Sequence, residues 1–158
     1  MTKVLNLFLV LFAAFVVFAG CTKNEVIDPQ AQMSATVDVN GWNAKTINDG
    51  ILSTVGGTEV LTLTGAGADG SLIILAVKPE VGTYPLSDPL STTLLTYQKL
   101  TNTFTSKGCL LTASGNIEIT SIDKEKKLVS GKFSGRVCNT SGISINITNG
   151  VLNNFKYR

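Results

Sequence analysis

Histidine is absent from this sequence of 158 residues. Its absence removes the usual general base near neutral pH and the commonest protein ligand for metals. Serine–histidine triads, cysteine–histidine pairs and histidine-based zinc sites are therefore excluded. Charge is also sparse, because 13 Lys and Arg stand against 11 Asp and Glu and the formal net charge is +2. Without a basic field to attract nucleic acid, we predict no nucleic-acid partner, and we predict no metal and no cofactor.

Helical periodicity is also missing after residue 21. Short segments rich in Thr, Val and Ile alternate with Gly and Asn-Gly turn signals, such as those at 40–41 and 49–50, which is typical of antiparallel strands. The pattern predicts one all-β domain, residues 33–158, folded as an antiparallel β-sandwich or a partly closed β-barrel. The predicted strands are residues 33–39, 42–47, 51–55, 58–64, 71–77, 82–86, 92–100, 116–122, 127–137, 143–148 and 151–157.

The burial pattern of individual strands can also be predicted. We expect strand 71–77 to be central and covered on both faces because it is nearly all apolar, and strand 82–86 to lie at an edge. A bulge at 149–150 would join the last two strands. The residues expected to point inward are Val129, Gly131, Phe133, Gly135, Val137, Ile143, Ile145 and Ile147. Those of strand 127–137 that are expected to point outward are Ser130, Lys132, Ser134 and Arg136. Gly131 and Gly135 flank Phe133 and are expected to leave room for an aromatic ring from a facing strand.

The first 20 residues have the organisation of a bacterial lipoprotein signal peptide. Lys3 supplies a positive start, residues 7–19 form an unbroken apolar run, and small residues lead to Cys21. The sequence Phe-Ala-Gly-Cys at 18–21 resembles a lipobox, whose cysteine thiol takes a diacylglyceryl group. We therefore predict lipidation of Cys21, followed by a flexible tether over residues 21–32.

Two other interpretations of this leader are open. One is a transmembrane anchor, which needs about 20 apolar residues and so more than this run supplies. The other is cleavage after residue 19 or 20 without lipid attachment. If Cys21 is processed, two or more acyl chains would hold the protein stably at a membrane. The absence of Asp at position 22 predicts the outer membrane, with the domain on its periplasmic face or at the cell surface.

Cys109 and Cys138 remain for the folded domain. In an oxidising compartment a disulfide between them is the expected state, and two separate reduced thiols are the alternative. In a hairpin of strands 116–122 and 127–137 the two cysteines would lie nearly opposite each other, and one small bulge would align them. Their distance in sequence favours a structural bond over a redox-active pair.

Other motifs have structural explanations. Residues 65–70 match Gly-x-Gly-x-x-Gly, but they lead into a strand and not a helix, so they predict a hairpin loop and not a dinucleotide site. Residues 38–41 carry a trace of a calcium-loop pattern without the remaining ligands. The 11 carboxylates show no local pair of the kind that a glycosidase uses. We predict no catalytic residue.

Trp42 is the only tryptophan. It is either a core or edge aromatic beside a turn, which is the interpretation we favour, or a surface ring that stacks on a sugar of a bound glycan. Tyr84, Tyr97, Phe155 and Tyr157 could extend an aromatic platform, but they are scattered in the sequence.

Three segments carry a resemblance to a known family. They are VNGWNA at 39–44, ITSID at 119–123 with VSGKF at 129–133, and ITNGVLNN at 147–154. They resemble motifs of small lipoproteins from Bacteroidota whose family has no known function. The resemblance covers most of residues 33–157 and implies an extracytoplasmic β-domain, but no activity and no functional residue. Leu152, where an aromatic is common in these proteins, implies a packing change only.

These observations predict an envelope-anchored lipoprotein whose β-domain is a non-enzymatic binding or accessory module. Its partner would be a glycan, an apolar small molecule or another envelope protein. Two other hypotheses make different structural demands. A lipocalin-like carrier needs an enclosed apolar cavity, and a hydrolase that uses carboxylates alone needs two facing carboxyls in a cleft.

Overall fold

The structure is a computed structural model that describes residues 27–28, 30, 32–88 and 90–158. The predicted signal peptide, Cys21 and most of the predicted tether lie outside these residues. Within them, no helix is long and apolar enough to cross a membrane.

The described chain consists of eleven strands and one short 3₁₀ helix, in a single all-β domain as predicted. The strands are β1 (Met33–Val37), β2 (Asn40–Asn43), β3 (Ile47–Val55), β4 (Thr58–Gly67), β5 (Gly70–Val77), β6 (Gly82–Pro85), β7 (Leu94–Lys99), β8 (Asn102–Thr105), β9 (Gly115–Asp123), β10 (Leu128–Cys138) and β11 (Ser144–Lys156). The 3₁₀ helix, Ser106–Thr112, follows β8.

All eleven strands belong to one sheet of antiparallel pairs. Its main path runs β2-β1-β11-β10-β8-β7-β5-β4-β3, while β9 pairs with β10 and β6 pairs with β9. β10 is the branch point, because one of its edges pairs with β11 and the other is shared by β9 and, at Cys138, by β8. The predicted edge position of β6 is confirmed, since it pairs with β9 alone.

The sheet curls into a half-barrel, and the C-terminal residues that follow β11 bond to β3, the strand at one end of the main path. Arg158 donates its backbone N–H to the carbonyl of Gly50 and accepts the N–H of Leu52, each at 2.9 Å. These two bonds follow the pattern found between two parallel strands. A Cβ on Gly50 would lie 2.7 Å from the Cβ of Tyr157, so the close approach of the two backbones requires glycine.

The hairpin of β1 and β2 covers the rest of the gap between β11 and the strands β3 and β4. β1 pairs with β11, and β2 pairs with β1. Just after β2, the backbone N–H groups of Lys45 and Thr46 both donate to the carbonyl of Ala66 in β4, at 2.9 and 3.0 Å. The hairpin thus fills the space between β11 and β4.

Large side chains fill the inside of the curled sheet. Those with less than 2% exposure are Trp42, Tyr97, Phe155, Met33, Leu61, Leu63, Leu72, Ile74, Leu86, Leu95, Ile117 and Ile147. Burying one such aliphatic side chain contributes about 1.5–3 kcal/mol. The interior is therefore a packed core.

β11 carries two bulges against β10. At the first, Thr148 and Asn149 both lie opposite Ser134, and Asn149 has φ 51°. This is the bulge predicted beside the Asn-Gly pair of the strand. The second lies opposite Ser130, where Asn154 has φ 45°. Asparagine tolerates this left-handed conformation better than most residues, and bulges bend and twist the strand that carries them.

The predicted disulfide between Cys109 and Cys138 is confirmed, with Cα atoms 4.9 Å apart. Its setting differs from the prediction, because Cys109 lies in the 3₁₀ helix and not on a strand of the β9–β10 hairpin. In the sheet Cys138 pairs with Thr105 of β8, whose side chain caps the helix by accepting the N–H of Lys107.

Several local predictions are wrong. Residues 49–50 lie inside β3 and do not form a turn. β5 is covered on one face only, since its buried and half-buried residues alternate. Ile143 precedes β11 and is 59% exposed, whereas Ile147 points inward as predicted. β8 and the 3₁₀ helix were not predicted from the sequence.

The expected aromatic ring beside Phe133 is also not there. A Cβ on Gly131 would meet the backbone carbonyl of Glu118, and one on Gly135 would meet the side chain of Leu86 at 2.6 Å. Both glycines therefore serve close packing against the backbone and against an aliphatic side chain.

Candidate functional site

Trp42 lies in the core and not on a ligand-binding surface. The residue is 1% exposed, and its Nε1 donates to the carbonyl of Gly70 at 3.1 Å. The indole packs over the end of β4, so closely that a Cβ on Gly67, the last residue of the strand, would lie 2.7 Å from Nε1. The sugar-stacking role therefore does not fit the position of this ring.

The other aromatic residues do not form an exposed platform either. Tyr97, Phe155 and Tyr157 are at most 3% exposed, and Tyr84 is partly buried against the core. The hydroxyl of Tyr97 donates to the carbonyl of Asp69 at 2.7 Å, which together with Trp42 ties the Gly-rich loop at 65–70 to the core. Burial raises the pKa of Tyr97, and the nearby negative charge of Asp69 raises it further. The loop is a β-hairpin connection between β4 and β5, as predicted.

Acidic residues of the described chain do not gather into a metal site. No group of three or more His, Cys, Asp or Glu side chains lies close enough to hold an ion there. Asp123 is an example of a carboxylate that is used within a turn. It accepts the backbone N–H groups of Lys126 and Glu125 between β9 and β10. These bonds, that of Lys126 first, lower the pKa of Asp123. This carboxylate organises a turn.

The candidate site is a trough on the outer face of β9, β10 and β11. It consists of a groove of about 540 Å³ and an adjoining pocket of about 200 Å³, which share Ser134 and Thr148 as lining residues. We refer to the two together as the trough. Most of its lining side chains are polar: Ser114, Asn116, Glu118, Lys132, Ser134, Arg136, Asn146, Thr148 and Asn149. Val151, which is 40% exposed, supplies an apolar surface.

Strand alternation and the first bulge together create the trough. Residues 130, 132, 134 and 136 of β10 point outward because the alternate residues of this strand point into the core. The bulge then places Thr148 and Asn149 together opposite Ser134, so two side chains of β11 line the same stretch of groove. On the inner side, the ring of Phe133 covers Gly150, whose added Cβ would lie 2.5 Å from Cδ2. The bent outer surface is thus supported by core packing.

Charges along the trough are unevenly distributed. Lys132 and Glu118 are direct cross-strand partners, so a cation and a carboxylate lie side by side at one end. Arg136, at the other end, donates from Nη2 to the hydroxyl of Ser144 at 3.0 Å. Its Nε is the buried side-chain polar atom that has no hydrogen-bond partner in the described part of the chain.

The sequence identified the outward residues of β10 but not the trough. A polar outer face on a strand is ordinary, and nothing in the alternation distinguishes a binding surface from a solvated one. The one local signal was the Asn-Gly pair at 149–150, since a bulge often redirects side chains near functional sites.

Comparisons with known proteins place the chain in a family without a known activity. No curated protein matches it, and no solved structure matches it. One family model matches residues 29–155, which is nearly the whole of the described domain. The chain belongs to this family, the domain of unknown function DUF6252.

Proposed function

We propose that this protein is an envelope lipoprotein anchored through an acylated Cys21, and that its β-domain is a non-enzymatic binding module whose ligand lies in the trough. Membership of an uncharacterised family with an all-β fold is compatible with this function. The observation that carries the proposal is the contrast between a packed interior and a polar concave outer face.

The packed interior argues against the carrier hypothesis. A lipocalin-like carrier would hold its ligand inside the barrel, where this protein places Trp42, Tyr97 and Phe155. A ligand on the outer face needs no such space. The trough, at about 540 Å³ for its larger part, lies within the usual size range of small-molecule sites.

The chemistry of the trough favours a hydroxyl-rich ligand over a protein partner. Short hydroxyl and amide side chains such as Ser134, Asn116 and Thr148 offer both donors and acceptors, which suit sugar hydroxyl groups. Central regions of protein–protein interfaces are instead enriched in aromatic residues and depleted in serine. Glu118 is the carboxylate among the lining residues, whereas glycoside hydrolysis uses a pair. A glycan bound without cleavage is the function that we propose.

Palmitate labelling tests the anchor. The full chain, expressed in a bacterium that processes lipoproteins, should incorporate labelled palmitate and fractionate with the outer membrane. Cys21→Ala should lose the label, while Cys109→Ala should keep it. Wild-type protein without label, or with an intact Met1 in the cytoplasm, would refute the anchor.

Glycan binding tests the role of the domain. The purified full chain should bind at least one member of a panel of defined neutral and acidic oligosaccharides. Ser134→Trp places an indole in the middle of the trough and should weaken binding by roughly tenfold or more, since it excludes the ligand. Ser53→Trp, at an exposed position of β3, is the matched control and should bind as wild type. If both variants bind equally, the ligand does not lie in the trough; if no oligosaccharide binds, the glycan assignment is wrong.

A further inference from the structure

Arg136 has hydrogen-bonding capacity that the protein does not use. A guanidinium carries five N–H donors in a planar fork. Nη2 of Arg136 donates to Ser144, but its Nε–H has no acceptor among the described residues although the atom is buried. Because Nε is buried, a ligand in the pocket would meet the remaining N–H donors of the two Nη atoms, which have no acceptor among the described residues apart from Ser144.

The charge of Arg136 is also unmatched. None of the ion pairs in the described part of the chain includes it. Glu118, the carboxylate that lines the trough, is paired across the strands with Lys132. Four residues of extended chain separate Lys132 from Arg136, which corresponds to roughly 13 Å. Glu118 therefore lies beside Lys132 and away from Arg136, so it does not neutralise the charge of Arg136.

Neutral hydrogen-bonding groups surround this charge. The pocket of about 200 Å³ that Arg136 lines is also lined by Ser114, Asn146 and Thr148, which carry hydroxyl and amide groups. A cation among neutral donors and acceptors is suited to a ligand with one anionic group and several hydroxyl groups, because the fork of arginine matches the geometry of an oxyanion.

We propose that Arg136 binds an oxyanion of the trough ligand through the remaining N–H donors of its Nη atoms and that the ligand is therefore an acidic saccharide. The inference rests on the proposed function and deepens it, since it names the chemical class of the ligand and the residue that selects it. The carboxylate of a uronic acid and the sulfate of a sulfated sugar share the required chemistry. The remaining sugar hydroxyl groups would contact the polar side chains between Arg136 and Lys132.

The test compares an acid with its neutral ester. The full chain is titrated with digalacturonate, with the dimethyl ester of digalacturonate, with a sulfated disaccharide and with inorganic sulfate. Affinity is measured by calorimetry, and the Nε–Hε signal of Arg136 is followed by NMR. The acid should bind roughly 10- to 100-fold more tightly than its ester, as expected for a hydrogen-bonded charge, and should shift the Nε–Hε signal. The sulfated disaccharide shows which oxyanion is preferred.

Variants separate a binding role from a structural one. Arg136→Gln should lower the affinity for the acid by the same 10- to 100-fold and leave the weak binding of the ester unchanged. Arg136→Lys should restore only part of the affinity, since an ammonium lacks the planar fork. Lys78→Gln removes one charge from an exposed position outside the trough and should have no effect.

Each contrary outcome has a definite meaning. Equal affinity for acid and ester, or no binding of either acidic sugar at millimolar concentration, overturns the inference. If sulfate alone shifts the Nε–Hε signal as strongly as the sugars do, Arg136 binds an adventitious ion only. If Ser134→Trp abolishes binding while Arg136→Gln does not, the proposed function stands and the role of Arg136 is wrong. If Ser134→Trp has no effect, the proposed function itself fails.

Discussion

Removal of the disulfide should destabilise this domain strongly. The bond links the 3₁₀ helix after β8 to the end of β10, and the two cysteines are separated by 29 residues. For a loop of that size the chain-entropy relation gives about 3.6 kcal/mol at 25 °C. In a domain of this length such a loss lowers Tm by roughly 10–15 °C.

Two perturbations separate the cross-link from side-chain packing. Reduction of the wild-type protein breaks the bond with almost no change of volume. The double variant Cys109→Ala/Cys138→Ala also removes the sulfur atoms of two residues that are more than nine-tenths buried. Urea unfolding of the full chain, with and without reductant, gives both free energies. The reduced wild type should lose about 3.6 kcal/mol and the double variant should lose more, because it also loses packing.

A small effect of reduction on the wild-type protein would refute this prediction. If reduction changes the free energy of unfolding of the wild type by less than about 1 kcal/mol, the cross-link does not constrain the unfolded chain as the loop relation requires. Reductant should leave the double variant unchanged. A shift there of the size seen in the wild type would show that the reductant acts elsewhere.

Three further predictions follow from particular contacts. Gly50→Ala should destabilise the domain by more than about 2 kcal/mol in urea unfolding, because the added Cβ meets the backbone of Tyr157 where the sheet closes; wild-type stability would refute this closure. Trp42→Phe should cost roughly 1–3 kcal/mol through the lost Nε1 hydrogen bond and lost volume but leave oligosaccharide affinity unchanged, and a selective loss of affinity would contradict the core assignment. By carboxyl NMR, Asp123 should titrate below the usual range of an aspartate, since the N–H of Lys126 stabilises its charged form. The stability that it contributes is present above the ordinary aspartate pKa and is lost as pH falls through the lowered one; an ordinary midpoint would refute the turn geometry.

Much of the fold could be predicted from local sequence. Alternation of apolar and polar residues located β10, and Gly-containing pairs located the hairpin between β4 and β5. The same rule failed at residues 49–50, where Asp-Gly suggested a turn. There Gly50 is required by a contact that is distant in sequence, because the absence of a side chain lets the C-terminal backbone approach β3. No local pattern can reveal a partner more than 100 residues away.

The candidate site was less predictable than the fold. Arg136 was expected to point outward, and it does, but a charged outward residue is ordinary on a sheet. Its interest arises from Ser144, which accepts a hydrogen bond from its Nη2, and from the polar residues that line the same pocket, and these belong largely to β11 and to the segment before β9. Trp42 was ambiguous for a similar reason, because a lone aromatic after a turn can face either way until its neighbours are known.

The sequence by itself determined that this chain forms antiparallel strands, that Cys109 and Cys138 are available to bond, and that histidine-dependent chemistry is excluded. These properties follow from residue type and from a period of two, which act over a few neighbouring residues. Only the tertiary structure decided that β10 joins three other strands, that the C-terminus closes the sheet against β3, and that Arg136 lines a trough. Such arrangements depend on the summed packing of strands distant in sequence, where each contact is weak and only their total selects one register.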